Sequence, residues 1–409
     1  MNLWKLPPPV PANEMDRIIR LSELDLDYSE IQETLKDLTK LAAKVAGTSI
    51  SLVNLIDSFT QWTVARYGLD IEQMKREDSV CQYTIVSEES FEVPDLTADD
   101  RFKNKFYVTG APKVTYYFGI PLQTQDGYNL GALCMLDQVG KEISPEKVEL
   151  LKIIANEIVN RLTAIKVIQQ LQSTVKEAKE TQRKVAHDIR GPLGGIISLA
   201  QIITDQGDSN KMEQVLEFIN LIQKSGNSLL ELADEILTTG KQTVGPELKE
   251  VNANANEFNL LLLKDKIEKL YTAQAKPKDI HFLVNIIDRN GEIPFSKNKV
   301  LQIAGNLISN AIKFTPENGK VTVDLSLNLG RDGKKLQISV KDSGIGLTEE
   351  AIQRIQNGTV SSTEGTEGEQ GYGFGLSLVK HLLVAMNGSL VITSQPGKGA
   401  EFLVKIPQY

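Results

Sequence analysis

The chain has 409 residues, 41% of them apolar, with three histidines, two cysteines and a formal net charge of −8. That length and apolar content suit two or three packed domains and exclude a disordered protein, while the acidic balance excludes general affinity for nucleic acid or anionic membrane, both of which rest on basic surface. There is no apolar run of about 18 residues and no secretion-signal core, so no membrane span is expected and the cytosol is the expected compartment. Two cysteines are too few for a disulfide framework or a four-thiolate metal site.

In chain order, residues 1–25 read as a poorly ordered lead, with Pro7-Pro8-Pro9 and Pro11 favouring an extended start. An α+β pattern follows over 26–162. Periodicity predicts a helix at 29–45 and strands at 48–57, 61–66, 119–123 and 131–136. Asp126-Gly127 marks a tight hairpin between the last two, and Ser144-Pro145 offers an N-cap and a first-turn proline for a closing helix. Three stretches resemble a GAF domain: Ser51-Leu52-Val53-Asn54-Leu55-Ile56-Asp57, Phe118-Gly119-Ile120-Pro121-Leu122 and Gly131-Ala132-Leu133-Cys134-Met135-Leu136-Asp137. The resemblance implies a sensing module for a small-molecule or protein signal that it does not identify. Bilin-attaching relatives carry a histidine beside the cysteine, whereas Cys81 is followed by Gln82 and the domain has no histidine, which also disfavours axially ligated haem. Cys81 and Cys134 themselves read as small buried hydrophobes.

The closing helix continues past the sensor. From Lys147 no proline or glycine occurs until Gly191, and Ile158, Leu162, Ile165, Ile168, Leu171, Val175 and Ala178 recur every three or four residues. Residues 158–184 therefore read as a coiled-coil signalling helix, partnered either by a second copy in a parallel homodimer or by the chain's own sensor domain. The stripe goes on through Val185, Ile189, Leu193, Ile196, Ala200 and Ile203. It leaves His187 on a face with Arg183, Lys184, Gly191, Gly194 and Ser198, and Pro192 should kink the helix. After a turn at 205–210, a second helix over 211–237 carries Val215, Ile219, Ile222, Leu229, Leu232, Ala233 and Ile236. Gly240 ends it, and 241–256 reads as a linker.

The stretch Lys184-Val185-Ala186-His187-Asp188-Ile189-Arg190-Gly191-Pro192-Leu193 resembles the phospho-acceptor box of sensor histidine kinases. The resemblance implies that His187 is the nucleophile that takes a phosphoryl group and that Asp188 orients its ring. It makes 170–240 the dimerisation and phosphotransfer domain, a helical hairpin that forms a four-helix bundle as a homodimer. Each catalytic domain then serves either its own histidine or its partner's. Gly191 stands where many such kinases carry Thr or Asn to position a hydrolytic water, so weak phosphatase activity is expected by that route.

Residues 257–409 carry an ordered constellation. Asn306, Asn310 and Lys313 fall on one face of a predicted helix, and Asp342 ends a strand before Gly344 and Gly346. Gly371, Gly373, Gly375 and Leu376 then open a further helix, and Gly397-Lys398-Gly399 lies between two strands. The set resembles the ATP-binding domain shared by histidine kinases, gyrase, Hsp90 and MutL, an α/β sandwich of the Bergerat type. The resemblance implies that Asn310 coordinates Mg²⁺, that Asn306 and Lys313 support the phosphates, that Asp342 reads adenine and that the glycine-opened helix receives the triphosphate. Residues 358–370, rich in Gly, Ser, Thr and Glu, read as a mobile lid. The family's phenylalanine-bearing box before the lid is missing, with Ile352 and Ile355 in its place. His281 and His381 read as packing or surface residues.

The whole resembles a cytosolic GAF-domain sensor histidine kinase of multidomain α+β class, using ATP and Mg²⁺ and passing phosphate to an aspartate of a separate response regulator. A nucleotide-binding scaffold without catalysis is the alternative that the loss of His187, Asn310 or Asp342 would favour, and all three are present. A gyrase- or MutL-like DNA ATPase is disfavoured by the acidic charge.

Overall fold

The computed structural model describes residues 9–26, 28, 31–206, 211–241, 257–296, 299–330, 333–356, 365–366 and 373–408. The chain divides into two compact units, residues 1–168 with 256–409, and residues 169–255.

The first unit holds two large sheets and a separate two-stranded one. Strands β1 (Ile50–Ile56), β2 (Thr60–Tyr67), β3 (Gln73–Lys75), β4 (Phe91–Val93), β5 (Tyr116–Gln123) and β6 (Asn129–Asp137) form an antiparallel sheet in the order β3-β2-β1-β6-β5-β4. Central β1 is buried on both faces because its apolar residues alternate between two cores. Val53 and Leu55 face helices α1 (Glu14–Glu23), α2 (Gln32–Ala46) and the first turns of α5 (Pro145–Gln206). Leu52 and Ile56 face the short helices α3 (Cys81–Thr84) and α4 (Phe106–Thr109) with their loops. Gly47, left-handed at φ 77°, ends α2 and turns the chain into β1.

Helix α1 corrects the expectation of a disordered lead. Its Ile18 and Leu21 enter the core, and Glu14 is buried against Arg17 of its own helix and Arg76 from the loop after β3. A carboxylate whose second partner lies far along the chain looks like a solvated charge in sequence. Residues 1–8, which carry two of the three prolines at 7–9, lie outside the described residues.

The coiled-coil stripe divides in two. Ile158 and Leu162 are buried in the sensor core, whereas Ile168, Leu171 and Val175 are exposed. Helix α5 runs on through Pro192 as one helix, and α6 (Met212–Lys241) extends one residue beyond Gly240. The linker at 242–256 lies outside the described residues.

The second sheet has the order β12-β13-β11-β10-β8, from β8 (His281–Ile286), β10 (Lys320–Gly330), β11 (Gly333–Asp342), β12 (Ser389–Ser394) and β13 (Ala400–Gln408). Only the β8–β10 pair is parallel. Alternate residues of β10 (Val321, Val323, Leu325, Leu327) are buried beneath α7 (Leu260–Ala275), α8 (Val300–Phe314) and α10 (Phe374–Ala385). A short β7–β9 pair (Glu257–Phe258, Phe295–Ser296) and α9 (Glu349–Gln356) complete it. His281 and His381 are exposed, on β8 and α10. The two sheet domains share an interface: Trp62 meets Tyr271 edge-on at 6.1 Å, Gln274 Nε2 donates to Gln73 Oε1 at 2.8 Å, and the Lys299 amide donates to Asp25 Oδ1 at 2.9 Å.

Candidate functional site

His187 stands on α5 with 88% of its side chain exposed, and its Nδ1 lies 3.2 Å from Asp188 Oδ1. The face around it is clear. A Cβ built on Gly191, Gly194 or Gly195 would meet nothing within 4 Å, so the imidazole can be approached by a large group. The carboxylate on Nδ1 favours the tautomer that leaves the Nε2 lone pair outward.

A second constellation lies on the second sheet. Asn306, Asn310 and Lys313 are all buried on α8, which is unusual for polar side chains unless something satisfies them. Asn306 Nδ2 donates to the Gln302 carbonyl at 2.9 Å, but its buried Oδ1 has no hydrogen-bond partner among the described residues. The Asn310 Nδ2 is likewise buried without one. The Lys313 ammonium lies 4.8 Å from the centre of the Phe314 ring.

Asp342, at the end of β11, accepts from the Gly344 amide at 2.8 Å and the Ala400 amide at 3.2 Å through Oδ1. Burial raises its carboxyl above the usual range, and the two amides only partly offset that. Gly344 is required here, since a Cβ would lie 2.2 Å from the Phe314 carbonyl. Helix α10 opens at Gly373, left-handed at φ 76°, and Leu376 in its first turn packs on the core. Gly375 faces Asn306, with a built Cβ 3.0 Å from Asn306 Oδ1, so only glycine leaves room beside that amide. The structure thus brings Asn306 and Gly375 together and fixes Asp342 beside Gly344. Gly346 turns the chain below, left-handed at φ 67°. Gly371 lies outside the described residues, as does the lid stretch except Gly365 and Thr366.

Sequence reasoning missed two contributors. Lys278, buried, donates to the carbonyls of Ile312 (3.2 Å) and Lys313 (3.1 Å), placing a cation at the C-terminal end of α8. It also donates to Thr366 Oγ1 at 2.7 Å, and the Thr366 amide donates to the Lys313 carbonyl at 3.3 Å, so part of the lid stretch is tied to α8. The other is Phe59, at the β1–β2 turn of the sensor sheet. A Cβ on Gly375 would come within 2.5 Å of its ring, which packs on the first turn of α10. No motif marks either residue. Ile355, in the neighbourhood of the missing phenylalanine box, is buried on α9, and its carbonyl accepts from Lys380.

An unpartnered buried amide oxygen, an unbonded amide N–H group, a half-buried carboxylate and the start of a helix form a set suited to a polyanion carrying a hard cation. No cluster of three or more metal-ligating His, Cys, Asp or Glu occurs among the described residues.

Residues 30–162 match the GAF domain family, 177–245 the His Kinase A (phospho-acceptor) domain, and 296–409 the histidine kinase-, DNA gyrase B- and HSP90-like ATPase family. A cyclic di-GMP phosphodiesterase of Pseudomonas aeruginosa is 39% identical over 131 residues, 32% of this chain and 22% of that protein. The autoinducer 2 sensor kinase/phosphatase LuxQ of Vibrio parahaemolyticus is 30% identical over 227 residues, 55% of this chain and 26% of that protein. This chain thus spans about a quarter or less of the length of either relative. Among solved structures, the catalytic domain of histidine kinase ThkA is similar at 25% identity and a TM-score of 0.32, covering 37% of this chain and 95% of that one.

Proposed function

We propose, from the domain order of a GAF-domain sensor histidine kinase that this chain has, that it moves the γ-phosphoryl group of ATP to His187. From there the group passes to an aspartate of a separate response regulator. The observation that carries the reading is the state of His187: exposed, held at Nδ1 by Asp188, and cleared of side chains by the glycines around it. Nε2 attacks phosphorus with its lone pair, the bond to ADP breaks, and the Nδ1 proton stays beside the Asp188 carboxylate.

The nucleotide is assigned to the second sheet. Asp342 accepts from the adenine amine, and Asn306 and Lys313 support the phosphates. Gly373, Gly375 and Leu376 carry the helix opening that faces them, Gly371 being assigned to the same role from the sequence alone, and Gly344 and Gly346 let the backbone pass close to the base. Asn310 would hold Mg²⁺ through its amide oxygen, a role assigned from the family resemblance and compatible with its burial on α8. Bound there, the cation would supply charge to neutralise the transferring group, and the protein's share is to fix position.

The working species is a homodimer. Ile168, Leu171 and Val175 on α5 and Leu216 and Ile219 on α6 are exposed in one chain, and a second copy buries them as a bundle. No helix among the described residues is long and apolar enough to cross a membrane, and the proposal places the kinase in the cytosol.

The nucleotide half is tested by titrating the purified chain with a fluorescent ATP analogue, with and without Mg²⁺. Asp342→Asn should weaken binding by about tenfold or more, the weight of a charge-assisted hydrogen bond, and Asn310→Ala should remove the dependence on Mg²⁺. Wild-type binding in both variants would detach this site from nucleotide.

A further inference from the structure

The two cysteines, 53 residues apart in sequence, meet inside the sensor domain. Cys81 begins α3 and Cys134 lies in the middle of β6, and their sulfurs are 3.0 Å apart. Both thiols are free and buried. A disulfide bond is about 2.05 Å long, so closing the pair asks for a movement of roughly one ångström. The sequence reading as two separate small hydrophobes did not foresee this contact.

The surroundings are polar where two plain core cysteines would have apolar neighbours. Asn54 Nδ2 donates to both sulfurs, at 3.3 Å to Cys81 and 3.1 Å to Cys134. The Tyr117 hydroxyl donates to Cys81 Sγ at 3.3 Å, and the Cys81 amide is fixed by Ser79 Oγ at 2.9 Å. Burial opposes a charged Cys81, but the hydrogen bonds from Cys134, Tyr117, Asn54 and Ser79 outweigh it and bring the thiol below its ordinary value. Burial, with the bond and charge of Cys81, pushes Cys134 well above. One thiol is thus set up as nucleophile and the other as its protonated partner.

Both cysteines line a cavity of about 170 Å³ that Leu52, Met74 and Leu136 make largely apolar, and its rim reaches solvent at Asp70 and Phe106. Asn54 also lines it, and its buried Oδ1 has no hydrogen-bond partner among the described residues, although the residue is only 1% exposed. A lone acceptor beside a polarised thiol, in a cavity with room for a small organic molecule, fits a ligand with one O–H donor and an electrophilic atom next to it.

We infer that Cys81 and Cys134 form a reactive dithiol that small hydroperoxides, R–O–O–H, convert to an intramolecular disulfide. The Asn54 carbonyl accepts the hydroperoxide O–H. Cys81 sulfur, as thiolate, attacks the terminal oxygen; the S–O bond forms as O–O breaks, and the alkoxide takes up the proton that Cys81 had released. Cys134 sulfur then attacks the Cys81 sulfenic acid, the S–S bond forms, and the hydroxyl leaves as water with the Cys134 proton. Two thiols lose two electrons, and the hydroperoxide becomes an alcohol and water. A disulfide that forms and reopens in a reducing compartment belongs to sensing rather than to structure. This gives the sensor domain of the proposed kinase a signal class, and only that link rests on the kinase reading.

The test uses the full chain, in which these are the only two cysteines. Thiols are counted in denaturant, and intact mass is recorded, after treatment with tert-butyl hydroperoxide. The expected result is loss of both thiols together, a mass lower by two hydrogens, no covalent dimer, and full recovery with dithiothreitol. In Cys134→Ser, Cys81 should stop as a sulfenic acid captured by dimedone. In Asn54→Leu, loss of the thiols should slow by about tenfold, the weight of one hydrogen bond. Persistence of either thiol, added oxygen in place of lost hydrogen, or a disulfide between two chains would overturn the dithiol assignment. An unchanged rate in Asn54→Leu would overturn the role of the amide. None of these readouts depends on phosphoryl transfer, so they stand or fall apart from the kinase reading.

Discussion

Replacing Glu14 by alanine removes the acceptor of a buried charge cluster. Glu14 is 1% exposed and takes two hydrogen bonds at 2.8 Å from the Arg17 guanidinium and another from Arg76. Both arginines are wholly buried. Without the carboxylate two guanidinium groups lose the acceptor they share inside the protein, although Arg76 keeps others, such as the Asp57 carbonyl at 3.1 Å. Breaking a buried pair from one side costs about 3–5 kcal/mol. The transition of the sensor domain, followed through buried Trp62, should move to lower urea by more than about 1 M. Burial pushes the Glu14 carboxyl up, but the arginine hydrogen bonds and charges hold it below its ordinary 4.5. A carboxyl lowered by folding stabilises above the unfolded value, and that contribution disappears as pH falls through the folded value. The gap between wild type and Glu14→Ala should therefore be full at neutral pH and shrink below about pH 4.5. A loss under about 1 kcal/mol at pH 7, or a gap independent of acid, would refute the reasoning that α1 is anchored by this cluster.

Two further outcomes follow from the helical unit. Leu171→Asp puts a charge on the exposed apolar stripe of α5; sedimentation should show the dimer weakened by more than about tenfold, as burying an unpaired carboxylate demands, and an unchanged dimer would place the interface elsewhere. Gly191→Thr has room for its side chain and supplies the hydroxyl that the chain lacks one turn after His187, so loss of phosphate from the partner's aspartate should accelerate; no acceleration would mean that this position does not hold the hydrolytic water.

Much of the fold is legible because it is written in periodicity. Strands β1, β2, β5 and β6 and the long helix announce themselves through alternation or three-to-four spacing, and Asp126-Gly127 marks its hairpin directly. The constellation proposed for the nucleotide is legible for another reason: Asn306, Asn310, Asp342 and the glycines are residue types that a plain core would not choose at those places. What stayed hidden depends on contacts between distant residues. Helix α1 is held by Arg76, the C-terminal end of α8 by Lys278, and the first turn of α10 is packed by Phe59. Nothing local to any of the three signals its role. The cysteine pair belongs with them, since each residue alone is an ordinary core thiol and only the packing of α3 against β6 brings them to 3.0 Å.

Transfer of phosphate from ATP to His187 is tested most directly by labelling. Purified chain is incubated with γ-labelled ATP and Mg²⁺ beside His187→Ala, and the label on the protein is challenged with acid and alkali. Label that survives alkali, is lost in acid and is absent from the variant is the predicted result. Label that persists in His187→Ala, or no label on a wild-type chain that binds the nucleotide, would contradict it and leave a nucleotide-binding scaffold.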